Sequence, residues 1–379
     1  MPPTNQFQHQ QYSSEKPHSN YSVIQAQTGP EVESAEWRQR MLTAGNVLQD
    51  KKLFAIYLVH GTFVGTDTLG LARTLDRLST TIAHQYRRSH KRLADLILRE
   101  RSNYSQSYAT LMEKSLGGHI PVRLFHWSGE NHHLGRADGA VRLINDLTKR
   151  KIPPGSRVLL WGHSHAGNLF ALLSNLLGGD KDARQHFFQA AGPWRSSSET
   201  CPASQAWWRV RSLLDHGNPL DHITLEALTF GTPICYGWDT NTMEKLLHFV
   251  YHRTPPHLSD TRHPLQQQPV SKLRSYSGDI LQQIGISGTN FYPFGATLRD
   301  WQANRQLGAL FERSLPKQRL LNTLRAGKRV AEDGITLFTD YSSSSKWISR
   351  PWIGHSMYTH RRWLLFHIEE TIQRLYSDA

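Results

Sequence analysis

Short apolar stretches alternate with longer amphipathic ones along most of this sequence. Helical spacing of apolar residues predicts helices over about 69–116, 137–147, 166–177 and 358–376. Strands that alternate with helices predict an α/β fold with a doubly wound, mostly parallel sheet, whose functional groups lie at the carboxyl ends of the strands. The stretches that are apolar almost throughout, and therefore predict buried strands, are residues 53–59, 121–127, 158–161, 224–230, 246–251 and 335–339.

The domain organisation follows from where this alternation begins and where it is interrupted. Residues 1–45 are rich in Gln, Ser, Pro and Asn, which predicts a flexible N-terminal arm. One domain is expected over 46–379. Two interruptions, at about 180–222 and 253–330, predict insertions into that domain, of which the first is expected to be irregular.

Two pairs of adjacent residues outside the strands leave alternatives to be tested. Trp207 and Trp208 lie in the first insertion together with Trp194, and their rings suit either a lid or acyl-binding wall or plain packing on the domain. His132 and His133 follow the second predicted strand and are expected to be solvent-exposed loop residues. Because they are adjacent, they cannot form a ligand pair on one face of a helix, and no metal site is predicted there.

A glycine-flanked serine stands where an apolar strand turns into an apolar helix. Gly162, Ala166 and Gly167 are small enough for the backbone to pass closely on both sides of Ser164. Such a turn projects the hydroxyl clear of the sheet, and the helix N-terminus adds N–H groups and positive potential where an oxyanion would form. Ala166 departs mildly from the common Gly-x-Ser-x-Gly pattern. The turn predicts Ser164 as a nucleophile.

A serine hydroxyl is a poor nucleophile without a base, and the base needs an orienting carboxylate. His355 is the best candidate for the base, because it follows the last predicted strand and precedes the terminal helix. Gly354 gives its loop the freedom to point the imidazole inward. His360 and His367 fall inside the predicted helix and are poorer candidates.

These features, in their order along the chain, resemble one known family. His60-Gly61, the turn at Ser164, Phe230-Gly231-Thr232-Pro233 and Gly354-His355 occur in the order found in α/β hydrolases, over about residues 53–376. The chain is similar to the lipase-like branch of that superfamily, which includes the class-three lipases. The resemblance implies the α/β-hydrolase fold and acyl-ester hydrolysis by a Ser…Asp…His triad, with no cofactor, and it implies no particular substrate.

The resemblance also implies an oxyanion hole. The turn that follows the first strand supplies one donor in this family, here the backbone N–H of Thr62 or Phe63. The second donor is the backbone N–H of His165, directly after the nucleophile.

The acid is the member of the triad on which the sequence leaves alternatives. The family usually places it after the strand over 246–251, where no aspartate follows immediately. Asp260 and Asp279 lie farther downstream, Asp239 fits a placement one strand earlier, and Asp340 ends the last strand. We prefer Asp279, because its Gly-Asp pair precedes an apolar-polar run, as if it left a turn against the core.

The composition of the chain limits the kinds of partner and the cellular location that can be expected for it. The net charge is +13, but the basic residues are scattered, so a cationic solvated surface is favoured and no nucleic-acid partner is expected. That charge is compatible with an anionic membrane surface. Cys201 and Cys235 are too few for a disulfide framework, and no signal-peptide core or membrane-spanning stretch occurs. A reduced, cytoplasmic location is therefore predicted, while the oligomeric state stays open.

The leading hypothesis is a serine hydrolase that cleaves a small-molecule or lipid acyl ester through Ser164, Asp279 and His355. A peptidase, a thioesterase or an acyltransferase would use the same triad. Two rival hypotheses are a non-catalytic binding protein on a hydrolase scaffold and a membrane-attacking phospholipase effector. Both Ser164 and His355 are present, which argues against the non-catalytic reading.

Overall fold

Seven strands of the described residues form one sheet in which every pairing is parallel. The computed structural model describes residues 20–62, 85, 103–192, 202–233, 235–252, 278–279, 281–282, 297–311, 333–341 and 354–377. The strands are β1 Asn20–Gln25, β2 Leu53–Val59, β3 Val122–Phe125, β4 Arg157–His163, β5 Thr224–Phe230, β6 Lys245–Tyr251 and β7 Ile335–Asp340. They lie in the order β1-β7-β6-β5-β4-β2-β3.

Helices cover both faces of the sheet, which confirms the predicted doubly wound α/β architecture. In the described part of the chain the α-helices are α1 Ala35–Asp50, α2 Gln106–Ser115, α3 His133–Lys149, α4 Ala166–Gly178, α5 Lys181–Ala190, α6 Pro202–Asp215, α7 Leu298–Phe311 and α8 Leu364–Thr371. Side chains alternate along β4, so Val158 and Leu160 join the core under α3 to α7, while Leu159 and Trp161 join the core under α1, α2 and α8.

The prediction of a flexible N-terminal arm over residues 1–45 is wrong for the second half of that range. Strand β1 pairs with β7 along its whole length, and α1 buries Trp37 and Met41 against the sheet. The hydrophobic pattern did not predict β1, because it is a short edge strand in a polar stretch. Val23 on this strand is exposed. The helix had a signal, since its apolar residues recur at helical spacing. Residues 1–19 lie outside the described residues.

Three other elements differ from their predicted form. The first insertion is largely helical in its described residues, because these contain α5 and α6 where an irregular stretch was expected. Of the helix predicted over 69–116, residues 69–84 and 86–102 lie outside the described residues, residues 103–105 are not helical, and α2 follows them. The terminal helix begins with two 3₁₀ turns, Met357–Thr359 and Arg361–Trp363, before α8, and it ends in a π-helical turn.

Most of the second insertion lies outside the described residues, with α7 as its main described element. In the ranges that the structure describes, no helix is long and apolar enough to cross a membrane.

Candidate active site

Ser164 lies in a strained turn between β4 and α4. Its φ is +56°, in the left-handed region that serine rarely adopts, and its N–H donates to the Phe230 carbonyl of β5 at 2.8 Å. The turn is enclosed by small neighbours. A Cβ on Gly61 would lie 2.6 Å from the Cβ of Ser164, and one on Gly162 would lie 2.9 Å from that of Ala166. The predicted strand-to-helix elbow is therefore present, with the β2 loop packed directly against the serine.

The structure brings two of the predicted site residues into direct contact. His355 Nδ1 lies 2.7 Å from Asp279 Oδ2, and both side chains are buried, the aspartate completely. An ionised carboxylate can only accept, so Nδ1 donates the hydrogen bond and Nε2 of the neutral imidazole keeps its lone pair. Gly354 permits this approach, because a Cβ there would lie 2.6 Å from the Gly278 carbonyl oxygen.

Asp279 reaches this position through backbone contacts with the end of β6. His252 and Gly278 form an isolated antiparallel bridge, and the Asp279 N–H donates to the Tyr251 carbonyl at 3.3 Å. The aspartate therefore lies at the carboxyl end of β6, although residues 252–278 separate it from that strand in sequence.

Three donors from the described residues converge on the Asp279 carboxylate. Besides His355, the Gln282 backbone N–H donates to Oδ1 at 2.9 Å, and the Tyr358 hydroxyl donates to Oδ2 at 3.0 Å. Hydrogen bonds of this kind stabilise the ionised form of a carboxylate. Sequence reasoning missed Tyr358, although its place three residues after His355 on a turn was a usable signal.

His163 contacts the base and directly precedes the nucleophile in sequence. Its Nε2 donates to the His355 carbonyl at 2.9 Å, and the two ring centroids lie 4.6 Å apart. Since His163 directly precedes Ser164, this contact brings the serine and the base to one edge of the sheet. Among the described residues, no hydrogen bond joins the Ser164 hydroxyl to the His355 imidazole. Catalytic pairs are often loose until substrate binds.

The other candidate acids lie elsewhere or outside the described residues. The Asp239 N–H donates to the Ser174 hydroxyl, and the Asp239 carboxylate packs against Gly178 at the C-terminal end of α4. Because α4 starts two residues after Ser164 and runs about 20 Å away from it, Asp239 belongs to the opposite edge of the sheet. Asp340 ends β7, where it pairs with Gln25 of β1, and β7 lies one strand farther from β4 than β6 does. Asp260 lies outside the described residues.

On the oxyanion side, two of the three predicted donor residues are described. Thr62 is placed next to Gly61, the residue that packs on Ser164, whereas Phe63 lies outside the described residues. His165 is the N-cap of α4, so its backbone N–H is not used by the helix ladder.

The His165 imidazole has a defined tautomer. The Asn168 amide is fixed, since its NH₂ donates to the Pro233 carbonyl at 2.6 Å and its oxygen accepts from the Cys235 N–H at 3.0 Å. The same NH₂ lies 3.0 Å from His165 Nδ1, and Arg136 Nη1 lies 3.5 Å from it. Nδ1 therefore accepts, and the proton is on Nε2. Burial, and next the positive charge of Arg136, lower the pKa of His165 well below its ordinary value.

The predicted exposure of His132 and His133 is wrong, because both are buried at the start of α3. His132 Nδ1 caps the helix by accepting from the Gly135 N–H at 3.0 Å, and His133 Nδ1 lies 2.8 Å from the Tyr236 hydroxyl. Histidine is an uncommon N-cap, so the sequence offered little signal for this role. The pair belongs to a polar cluster that includes Arg136 and so reaches the residue after the nucleophile.

The two adjacent tryptophans of α6 have different environments. Trp207 is buried, donates to Asp138 Oδ1 at 2.8 Å and stacks on Phe187 with ring centroids 5.6 Å apart. Trp208 is 41% exposed. Trp207 thus packs on the domain, whereas Trp194 lies outside the described residues.

Comparison with known proteins gives no relative for this chain: no family model, no curated protein and no solved structure matches it. Among the described residues, no group of three or more His, Cys, Asp or Glu side chains could hold a metal ion. The arguments about function therefore depend on the site itself.

Proposed function

We propose that this protein is a serine hydrolase of the lipase-like α/β-hydrolase type, which cleaves carboxylic acyl esters through Ser164, His355 and Asp279. One observation carries the proposal. The buried contact of 2.7 Å between His355 Nδ1 and Asp279 Oδ2 lies at the sheet edge that also holds a serine with a φ of +56°. A strained serine and an imidazole oriented by a carboxylate, at one edge of the sheet, are the groups that acyl transfer requires.

In the proposed reaction, the Ser164 hydroxyl attacks the ester carbonyl while His355 Nε2 takes its proton. The resulting oxyanion accepts hydrogen bonds from the backbone N–H of His165 and from that of Thr62 or Phe63. Collapse of the intermediate releases the alcohol, which receives the proton from His355, and leaves an acyl-enzyme. Water, activated by the same histidine, then releases the acid.

Lipid esters are the proposed substrates, and an anionic membrane surface is a proposed partner. The net charge of +13 supports the second proposal. The cytoplasmic location stays a prediction, which fractionation of cells expressing the tagged protein would test.

Covalent labelling tests the proposal directly. A fluorophosphonate probe should form an adduct that mass spectrometry maps to Ser164, and Ser164→Ala should abolish both the adduct and ester hydrolysis. Ser174→Ala is the matched control, because this buried serine on α4 donates to the Ala171 carbonyl and lies away from the site. A folded wild-type protein that neither labels nor hydrolyses esters of any chain length would overturn the proposal in favour of a non-catalytic scaffold.

A further inference from the structure

Tyr358 is a fully buried tyrosine, and its hydrogen bonds to two described residues, Tyr251 and Asp279, have fixed directions. The Tyr251 backbone N–H donates to its hydroxyl oxygen at 2.7 Å. A backbone N–H can only donate, so the single hydroxyl proton is left for Asp279 Oδ2, 3.0 Å away. The tyrosine thus joins the end of β6 to the carboxylate that holds the base.

The same carboxylate oxygen receives two of the three donors. Oδ2 accepts from His355 Nδ1 and from the Tyr358 hydroxyl, while Oδ1 accepts from the Gln282 N–H. Rotation of the carboxylate would break hydrogen bonds at both oxygens. His355 and Tyr358 are three residues apart, so one short segment delivers both the base and the group that restrains its partner.

Packing leaves this arrangement no room to relax. Gly231 has a φ of +58°, and a Cβ there would lie 2.5 Å from both Asp279 Oδ2 and Tyr358 Cε2. The ring of Tyr358 also meets that of Tyr341 edge-on, with centroids 5.8 Å apart. In a water-excluded environment of this kind, a hydrogen bond to a carboxylate is stronger than it is at the surface.

We propose that Tyr358 is a positioning residue of the reaction proposed above, which acts through Asp279 by holding Oδ2 towards His355. The inference rests on the proposed triad. Without the hydroxyl, the carboxylate would carry less compensated negative charge and would attract the proton of His355 more strongly. Turnover should fall, because Oδ2 is no longer held towards His355. The acid limb of the kcat/KM profile should move to higher pH, because both the base and its partner would hold protons more readily.

Tyr358→Phe is the main variant, and Tyr341→Phe is its matched control. Tyr341 is also fully buried and hydrogen-bonded, but its hydroxyl partner is His367 Nε2, at 2.8 Å. We expect Tyr358→Phe to lower kcat about tenfold with little change in KM, and to raise the acid limb by about half a pH unit. The control should leave both quantities near those of the wild type.

A double-mutant cycle separates this role from a purely structural one. Because Tyr358 also accepts from the Tyr251 N–H, its loss lowers stability in any background. If it acts through Asp279, adding Tyr358→Phe to Asp279→Asn should cost almost no further activity. A tenfold loss in both backgrounds, or a wild-type acid limb in the single variant, would overturn the inference.

A readout that does not depend on activity keeps this result distinct from that of the proposed function. The proton between His355 Nδ1 and Asp279 should give a downfield ¹H NMR signal that Tyr358→Phe shifts and Tyr341→Phe does not. If the wild type hydrolyses esters but Tyr358→Phe leaves this signal and the pH profile unchanged, only the inference about Tyr358 fails. If the wild type is inactive, the proposed function fails. The positioning of Asp279 by Tyr358 then stands only if the signal shifts as expected, and it fails as well if the signal does not shift.

Discussion

The two halves of the candidate site are built in different ways. The nucleophile half is local: Ser164 stands between β4 and the helix that follows directly, and its backbone bonds to the adjacent β5. The acid–base half is assembled from a distance, because Asp279 and His355 are 76 positions apart and belong to loops after different strands. A strand-to-helix turn defines its own geometry, whereas a carboxylate is placed only when the sheet closes around it. Changes in the two halves should therefore have different signatures.

Asp279→Asn should give the largest effect within the acid–base half. An amide cannot hold the imidazole in the required tautomer, and in the type case of such a triad this costs about 10⁴ in kcat. Asp239→Asn, Asp260→Asn and Asp340→Asn should each change ester turnover less than tenfold. A large loss in one of these three, with Asp279→Asn near wild type, would mean that the contact at 2.7 Å is not the catalytic one.

The same contrast explains how much could be predicted from the sequence. The described strands after the first, and the turn at Ser164, are contiguous apolar or small-residue patterns, and the structure has them where the patterns predict. Strand β1 was missed because pairing with β7 at the sheet edge, rather than its own apolarity, makes it a strand.

For the site, the sequence offered candidates rather than contacts. Asp279 could be preferred over Asp239 only on a turn pattern, because nothing local shows that the His252–Gly278 bridge returns the chain to β6. Tyr358 and the buried polar cluster around Arg136 depend on side chains from several elements meeting in space. Such meetings leave no periodic trace in a single sequence.

Trp207→Ala and Trp208→Ala should separate stability from substrate contact. Removing the buried Trp207 ring, with its bond to Asp138, should lower the free energy of unfolding by about 3–5 kcal/mol. Trp208→Ala should cost about 1 kcal/mol or less. If Trp208 meets lipid, its loss should weaken hydrolysis of long-chain esters much more than that of acetyl or butyryl esters. Chemical unfolding and kinetics across a chain-length series decide this, and equal effects on all lengths would make the residue a plain surface tryptophan.

Gly231→Ala tests the junction between the two halves, and Gly118→Ala is its control. Both glycines have positive φ, +58° and +75°, so both variants carry similar backbone strain of about 1–2 kcal/mol. Only at Gly231 would the new methyl group meet Asp279 and Tyr358, since nothing lies within 4 Å of a Cβ at Gly118. A displacement of about 1 Å can cost about 10² in rate, so Gly231→Ala should lose about that much kcat and Gly118→Ala almost none. Similar kinetics in the two variants would show that the carboxylate tolerates displacement.

Stability should depend on pH through histidines that the reaction does not use. Burial lowers the pKa of His367 to about 3 and that of His248 to about 4, from an ordinary value of 6.5. Below about pH 6.5 the unfolded chain therefore binds protons at these positions, whereas the folded protein does not. The free energy of unfolding consequently falls as the pH drops from 6.5 towards the pKa of the folded state. Each histidine contributes a slope of up to about 1.4 kcal/mol per pH unit.

The double variant His367→Phe/Tyr341→Phe removes one of these rings together with its hydrogen-bond partner. Urea unfolding between pH 7.5 and 5.5 should show a shallower fall in the double variant, by about the contribution of one histidine. Equal slopes in the two proteins would mean that His367 takes up its proton in the folded state, and that the core beneath the acid–base half is more accessible to water than its packing indicates.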